Sequence, residues 1–339
     1  MTYRFKLGEP IADGASRIGI EQLEMAVKRL TSRQDPHAAI HDARRCLKRL
    51  RALLRLIRGA LSEGDYRRQS QSLAEIGRKL APERDRAVMH ETLSKIESRF
   101  GPLPKDAPER LRALLAGRAR SNARGAKVQN RRELVAALEQ AGDFFKRLKR
   151  TRITPAHLSE GIERTYRRAR RAYRQCYREP SDEAFHAWRK AAQQHWRHMQ
   201  LMSRAWPAVL GGRASEAREL SRLLGEDHDL AVLAAFTEKL PASDLPAGGR
   251  RKLVGNCRAW QSELRDLAKP RGARLFAEPA RDLSARVMLY WSAAEEMSKR
   301  EPPRADKAGR PKATSPKTRR AAALRVASRD KEASSGSGR

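Results

Sequence analysis

From His41 to Arg58 the chain reads HDARRCLKRLRALLRLIR. Wound at about 100° per residue, this stretch separates into two faces. Ala43, Cys46, Leu47, Leu50, Leu54 and Ile57, with Leu61 beyond, form an apolar stripe wide enough to bury in a bundle. His41, Arg44, Arg45, Lys48, Arg51 and Arg55 line the other side, with Arg49 and Arg58 at its edges. The same period predicts further helices at 16–33, through Leu73 to Leu80, from Glu83 through Ile96, and at 109–122 and 130–150. In the second half it predicts helices at 156–178, 181–206, 213–225, 227–240, 247–268 and 274–298. Ser16 is the expected cap of the first, and Asp35-Pro36 the start of the central one. No stretch alternates convincingly as a strand, so the expected fold class is all-α.

Proline and glycine punctuation divides the chain. Residues 1–150 and 151–298 read as two helical bundles, and 299–339 as a basic tail. The tail is rich in Pro, Ala, Gly and Ser and poor in large apolar groups, which predicts disorder.

Charge changes the picture most. The formal net charge is +33, from 73 Lys and Arg against 40 Asp and Glu. The segment 301–339 carries only +7 of it, so most lies in the helical part. A concentration of cations this large predicts a polyanionic partner. The basic side of 41–58 has few acids to answer it; Asp42 and Glu63 are the nearest. Cys46, Cys176 and Cys257 are far apart, without a CxxC pair, and predict free thiols in a reducing compartment. The N-terminus lacks the apolar core of a signal peptide, and no apolar run reaches the roughly 20 residues of a membrane span. A cytoplasmic protein with no membrane partner is expected.

The second half echoes the first. In FHAWRKAAQQHWRHMQLMSRAW, residues 185–206, His186 aligns with His41, Arg189 with Arg44 and Lys190 with Arg45. Winding places His186, Arg189, Lys190, Gln193, Arg197 and Arg204 on one face. Trp188, Ala191, Ala192, His195, Met199, Met202 and Trp206 fall on the other. Further along, Arg84-Asp85 pairs with His228-Asp229, 44 and 43 residues after the paired histidines. A repeat of about 145 residues predicts two pseudo-symmetric bundles, with their basic helices facing one central cleft.

At these residues the sequence resembles the CHAD (conserved histidine α-helical) domains. The resemblance rests on His41-x-x-Arg44, Lys48-Arg49-Leu50-Arg51 and Arg84-Asp85. In the second half it rests on His186-x-x-Arg189-Lys190, His195-Trp196 and Leu224-Gly225-Glu226-Asp227-His228-Asp229-Leu230. It covers nearly all of 1–298. It implies paired bundles around a basic surface and binding of inorganic polyphosphate, often at polyphosphate granules. It also implies that Arg84 and His228 reach the cleft. Gln193 and Gln194 stand where such domains often carry Lys or Arg, which thins the second cationic row. The ExExK signature of a fused triphosphate-tunnel domain does not occur in this sequence.

A flexible phosphate polymer has no bases to read, so its receptor needs dense Arg and Lys on rigid supports rather than stacking aromatics. The expected ligand contacts are His41, Arg44, Arg45, Lys48, Arg51, Arg55 and Arg84 in the first half. In the second they are His186, Arg189, Lys190, Arg197 and His228. His41 and His186 suit anion contact when protonated, or a structural place at a helix start. A metal centre would need more ligands at suitable spacing than His228 supplies, so neither a metal nor another cofactor is expected. His195, on the apolar side, reads as a core histidine. Asp85 and Asp229 read as carboxylates near helix starts. The absence of a phosphate loop, GxSxG elbow or HExxH points to binding without catalysis. Two rivals remain: non-specific nucleic-acid binding, favoured by charge, and metal-dependent hydrolysis of tri- or polyphosphate.

Overall fold

The computed structural model describes residues 3–32, 36–104, 109–115 and 129–300; the side chains of 36–37, 81–87 and 129–130 lie outside this description. The expected disordered tail also lies outside the described residues. Every regular element among them is helical. The helices are α1 (Ile11–Thr31), α2 (Pro36–Leu56), α3 (Glu63–Lys79), α4 (Ala81–Phe100), α5 (109–115) and α6 (Gln129–Arg147). They continue as α7 (Pro155–Arg178), α8 (Asp182–Met202), α9 (Pro207–Glu238), α10 (Ala247–Leu275) and α11 (Ala280–Arg300). One-turn 3-10 helices, Arg58–Ala60 and Leu148–Arg150, follow α2 and α6.

α2 sits at the centre of this arrangement. It packs on α1 and α3 within its own half and on α7 and α8 of the other half, while α4 reaches α9. Ala43, Cys46, Leu50, Leu54 and Ile57 are completely buried, as the apolar stripe predicts. Ala52, Leu53 and Leu56 are buried too, because the far end of α2 meets α7 at backbone distance. A Cβ on Gly161 would stand 2.0 Å from the carbonyl oxygen of Leu56. Only glycine permits that approach. Buried His198 of α8 adds a polar pin, its Nε2 2.9 Å from the carbonyl oxygen of Ala52. Burial holds the His198 pKa down at about 3, so the ring stays neutral and donates.

Several boundaries differ from the sequence expectation. α1 starts at Ile11 and buries Ser16 rather than using it as a cap. Residues before it form a strap. Phe5 N–H donates to the Leu201 carbonyl at 3.0 Å, the Tyr3 hydroxyl donates to the Arg49 carbonyl at 2.8 Å, and both rings are buried. The two helices expected at 213–225 and 227–240 are one continuous α9. Glycine costs a helix only about 1 kcal/mol, and buried Leu220, Leu223, Leu224 and Leu230 on either side of Gly225 outweigh it. α10 likewise runs through Pro270 and Gly272, where a break was expected. Gly272 lets the Tyr173 and Trp188 rings close to within 2.7 Å of where its Cβ would stand. The Tyr173 hydroxyl donates to the Lys269 carbonyl beside the proline.

Trp188, Met199 and Met202 are core, but Trp206 is 47 % exposed. α8 ends before it, leaving Trp206 at the entry to α9 with its ring edge-on to Tyr290. Trp291 is buried and Trp260 half-buried. The three cysteines are buried free thiols.

Candidate polyanion-binding site

α2 and α8 border a common cavity of about 510 Å³, walled also by α7 and α9, with Tyr66 of α3 and Val88 of α4 at its lining. Nine basic side chains line it: Arg44, Lys48, Arg51, Arg55, Arg58, Arg164, Arg168, Arg189 and Lys190. Among the described residues one acid, Asp229, faces them, together with His186, His228, Gln193 and Gln194. Among the described residues Tyr66 is the one tyrosine of the lining, and neither Phe nor Trp takes part.

The α2 row is partly braced by carbonyl oxygens. Arg44 Nη1 donates to the Gly77 carbonyl at 2.8 Å, anchoring the row to α3. Arg164 Nη2 donates to the Arg55 carbonyl at 3.2 Å, locking α7 against α2, and it also pairs with Glu160. Arg58 is paired with Glu63 at 3.0 Å and lies over the Tyr66 ring. Arg51 Nε is buried without a hydrogen-bond partner in the described structure. Burial lowers the pKa of both Arg51 and Arg55, and Arg51 pushes Arg55 down further. Both stay charged, and the cost of holding them together is what an anion would relieve.

Opposite the row, the His186 and His228 rings stack at 3.9 Å with 27° between their planes. Burial first, then Lys190 and Arg189, hold the His186 pKa down at about 4. Burial, Arg189 and His186 hold His228 at about 3, while Asp182 pulls weakly the other way. Both rings are neutral at pH 7, and His186 Nδ1 is buried without a hydrogen-bond partner. Behind His228, buried Asp227 accepts from Arg265 Nε at 2.6 Å. Arg265 Nη2 in turn reaches Asp182 at 2.6 Å in the first turn of α8, and Gln261 joins both acids. This partly buried clamp ties α8, α9 and α10 together and takes up two carboxylates that do not line the cavity.

Arg44, Lys48, Arg51, Arg55, His186, Arg189, Lys190 and His228 thus come together. His41, 52 % exposed beside Asp42, and Arg45, paired with Asp42 at 3.0 Å, do not line the cavity. Arg197 does not reach it either. Its side chain is 4 % exposed, donates to the Gln193 carbonyl at 3.0 Å and lies over Trp196. Burial, only partly countered by Tyr3 of the strap, lowers its pKa to about 10. The side chains of Arg84 and Asp85 lie outside the described residues. Asp229 is not near a helix start, because α9 continues through it. His195 is a core histidine, accepting from Arg213 Nε at 3.2 Å. Among the described residues, no three His, Cys, Asp or Glu side chains gather as a metal-ligand set. The expected contacts left out Arg58, set only at the edge of the basic face, and Arg164 and Arg168, although the four-residue spacing of the last two on α7 gives the signal that marked α2.

The described elements form an all-helical scaffold around a hollow lined by cations. The CHAD domain pattern matches residues 17–238, and the chain belongs to that family. No curated protein matches. Among solved structures the fold is similar to the CHAD domain from the plant Ricinus communis, at 16 % identity and a TM-score of 0.53, covering 80 % of this chain and 93 % of that one. It is also similar to PptA from Streptomyces chartreusis, at 16 % identity and a TM-score of 0.54, covering 80 % of this chain and all of that one. Among the described residues, no helix is long and apolar enough to cross a membrane.

Proposed function

We propose that this protein binds inorganic polyphosphate in the cavity between α2, α7, α8 and α9, without turning it over. The observation that supports this reading is nine cations against one carboxylate, among the described residues, around a hollow of about 510 Å³. Guanidinium and ammonium groups on rigid helices suit successive phosphate oxygens, through forked and charge-assisted hydrogen bonds. A thin, flexible polymer can enter such a recess. Duplex DNA is read by elements projecting into its grooves, and single strands by aromatic stacking platforms. Family membership favours the same ligand, and polyphosphate granules are a site where such a protein would act.

Titration calorimetry with long-chain polyphosphate tests the proposal: saturable binding that weakens linearly on a log–log plot against salt is expected. Absence of saturable binding near physiological salt overturns it. Divalent-dependent phosphate release from polyphosphate would replace the binding role with a catalytic one.

A further inference from the structure

The cationic ridge of α2 borders a second hollow. Arg44, Lys48 and Arg51, which line the main cavity, also line a groove of about 210 Å³ between α2 and α3. The groove floor is Leu47, Leu73, Ala74 and Gly77, and its outer wall is Arg78. The three shared residues span seven positions, about 10 Å along the helix axis at 1.5 Å per residue. Among the described residues, no acidic side chain lines the groove.

We propose that the α2–α3 groove is an exit subsite for a phosphate polymer too long for the main cavity. The chain crosses the Arg44–Lys48–Arg51 ridge and is held at its outer end by Arg78. This rests on the polyphosphate reading above and adds a path and a length requirement to it.

Three features support the path. A guanidinium carries five donors in a rigid fork, so one ridge residue can serve phosphates on both flanks. Arg44 Nη1 is fixed on the Gly77 carbonyl in the groove floor, which holds the ridge at the crossing point. Arg78 is 72 % exposed, its acidic neighbour Glu75 stands 3.6 Å away, and its charge is felt at Arg51. A short anion satisfied by the nine-cation cavity has no need of Arg78; a long chain that must leave the cavity does.

The experiment compares R78E and R78A with R178E, which removes the same charge as R78E from the far end of α7, outside both hollows. Each full-length variant is titrated with polyphosphate of about 100 phosphates and with tripolyphosphate at one salt concentration. R78A should weaken long-chain binding about tenfold, as for a lost charge-assisted contact, and R78E more. Tripolyphosphate affinity should stay within about twofold, and R178E should leave both within about twofold. Equal losses for both ligands would mean that Arg78 acts only through the general field, overturning the subsite. Long-chain affinity of R78E equal to that of R178E would overturn it as well. If wild-type protein binds neither ligand, the polyphosphate reading itself fails. Helicity by circular dichroism, with R78A as the milder change, separates these results from misfolding.

Discussion

Lowering the pH from 7 to 5 should tighten polyphosphate binding through the stacked pair His186 and His228. Burial and the neighbouring cations hold them at about 4 and about 3, so both are neutral across that range. Charging His186 at its ordinary value near 6.5 costs about 3 kcal/mol, at about 1.4 kcal/mol per pH unit. Solvent screening at a partly exposed ring reduces that figure. A polyanion in the cavity reverses the sign of the local field and favours the imidazolium. With the rings 3.9 Å apart, one proton rather than two is expected per binding event. Linkage then gives an affinity gain of about tenfold per pH unit below the liganded pKa, levelling off near pH 4, where the free protein also protonates. The assay is the Kd for long-chain polyphosphate at pH 7, 6 and 5 at constant ionic strength, for wild type and the H186Q/H228Q variant. A slope in the double variant equal to that of wild type, or no slope in wild type, would refute the reasoning.

Without ligand the same groups act in the opposite direction. The unfolded chain binds protons below about 6.5 that folded His186, His228 and His198 refuse. Thermal stability should therefore be full above that pH and fall toward pH 4, and a melting temperature that rises on acidification would contradict this. Replacing Arg44, Lys48 and Arg51 together with Ala should weaken polyphosphate binding by at least a hundredfold and flatten its salt slope, at unchanged helicity. Intact affinity in that folded variant would place the site elsewhere. G161A puts a methyl group 2.0 Å from the Leu56 carbonyl oxygen and should cost about 1–3 kcal/mol or more in urea unfolding. D227N weakens the contact with Arg265, which keeps Asp182 as its partner, and should cost about 1–3 kcal/mol in the same assay.

The parts legible in sequence are those in which one period governs a whole face. α2 announces both its buried stripe and its cationic row because apolar and basic residues alternate over five turns without a breaker. Arg197 shows where that logic stops. Helical winding placed it with Arg189, but side-chain burial is decided by what covers the helix. Here that includes the strap carrying Tyr3 and Phe5, whose irregular backbone has no period to detect. The unbroken runs through Gly225 and Pro270 share this cause: local propensity favoured breaks, and buried neighbours far away in sequence outweighed it. Asp227 and Asp229 sit two residues apart, yet one is clamped behind the cavity by Arg265 and the other faces into it. Only the packing of α10 separates their roles.

The central claim, that the recessed cations favour a phosphate polymer over nucleic acid, is tested most directly by competition. Labelled long-chain polyphosphate is bound to the full-length protein at near-physiological salt and displaced with unlabelled polyphosphate or with duplex DNA at equal phosphate concentration. The account predicts displacement by polyphosphate at much lower concentration than by DNA. Equal or more effective displacement by DNA would contradict it.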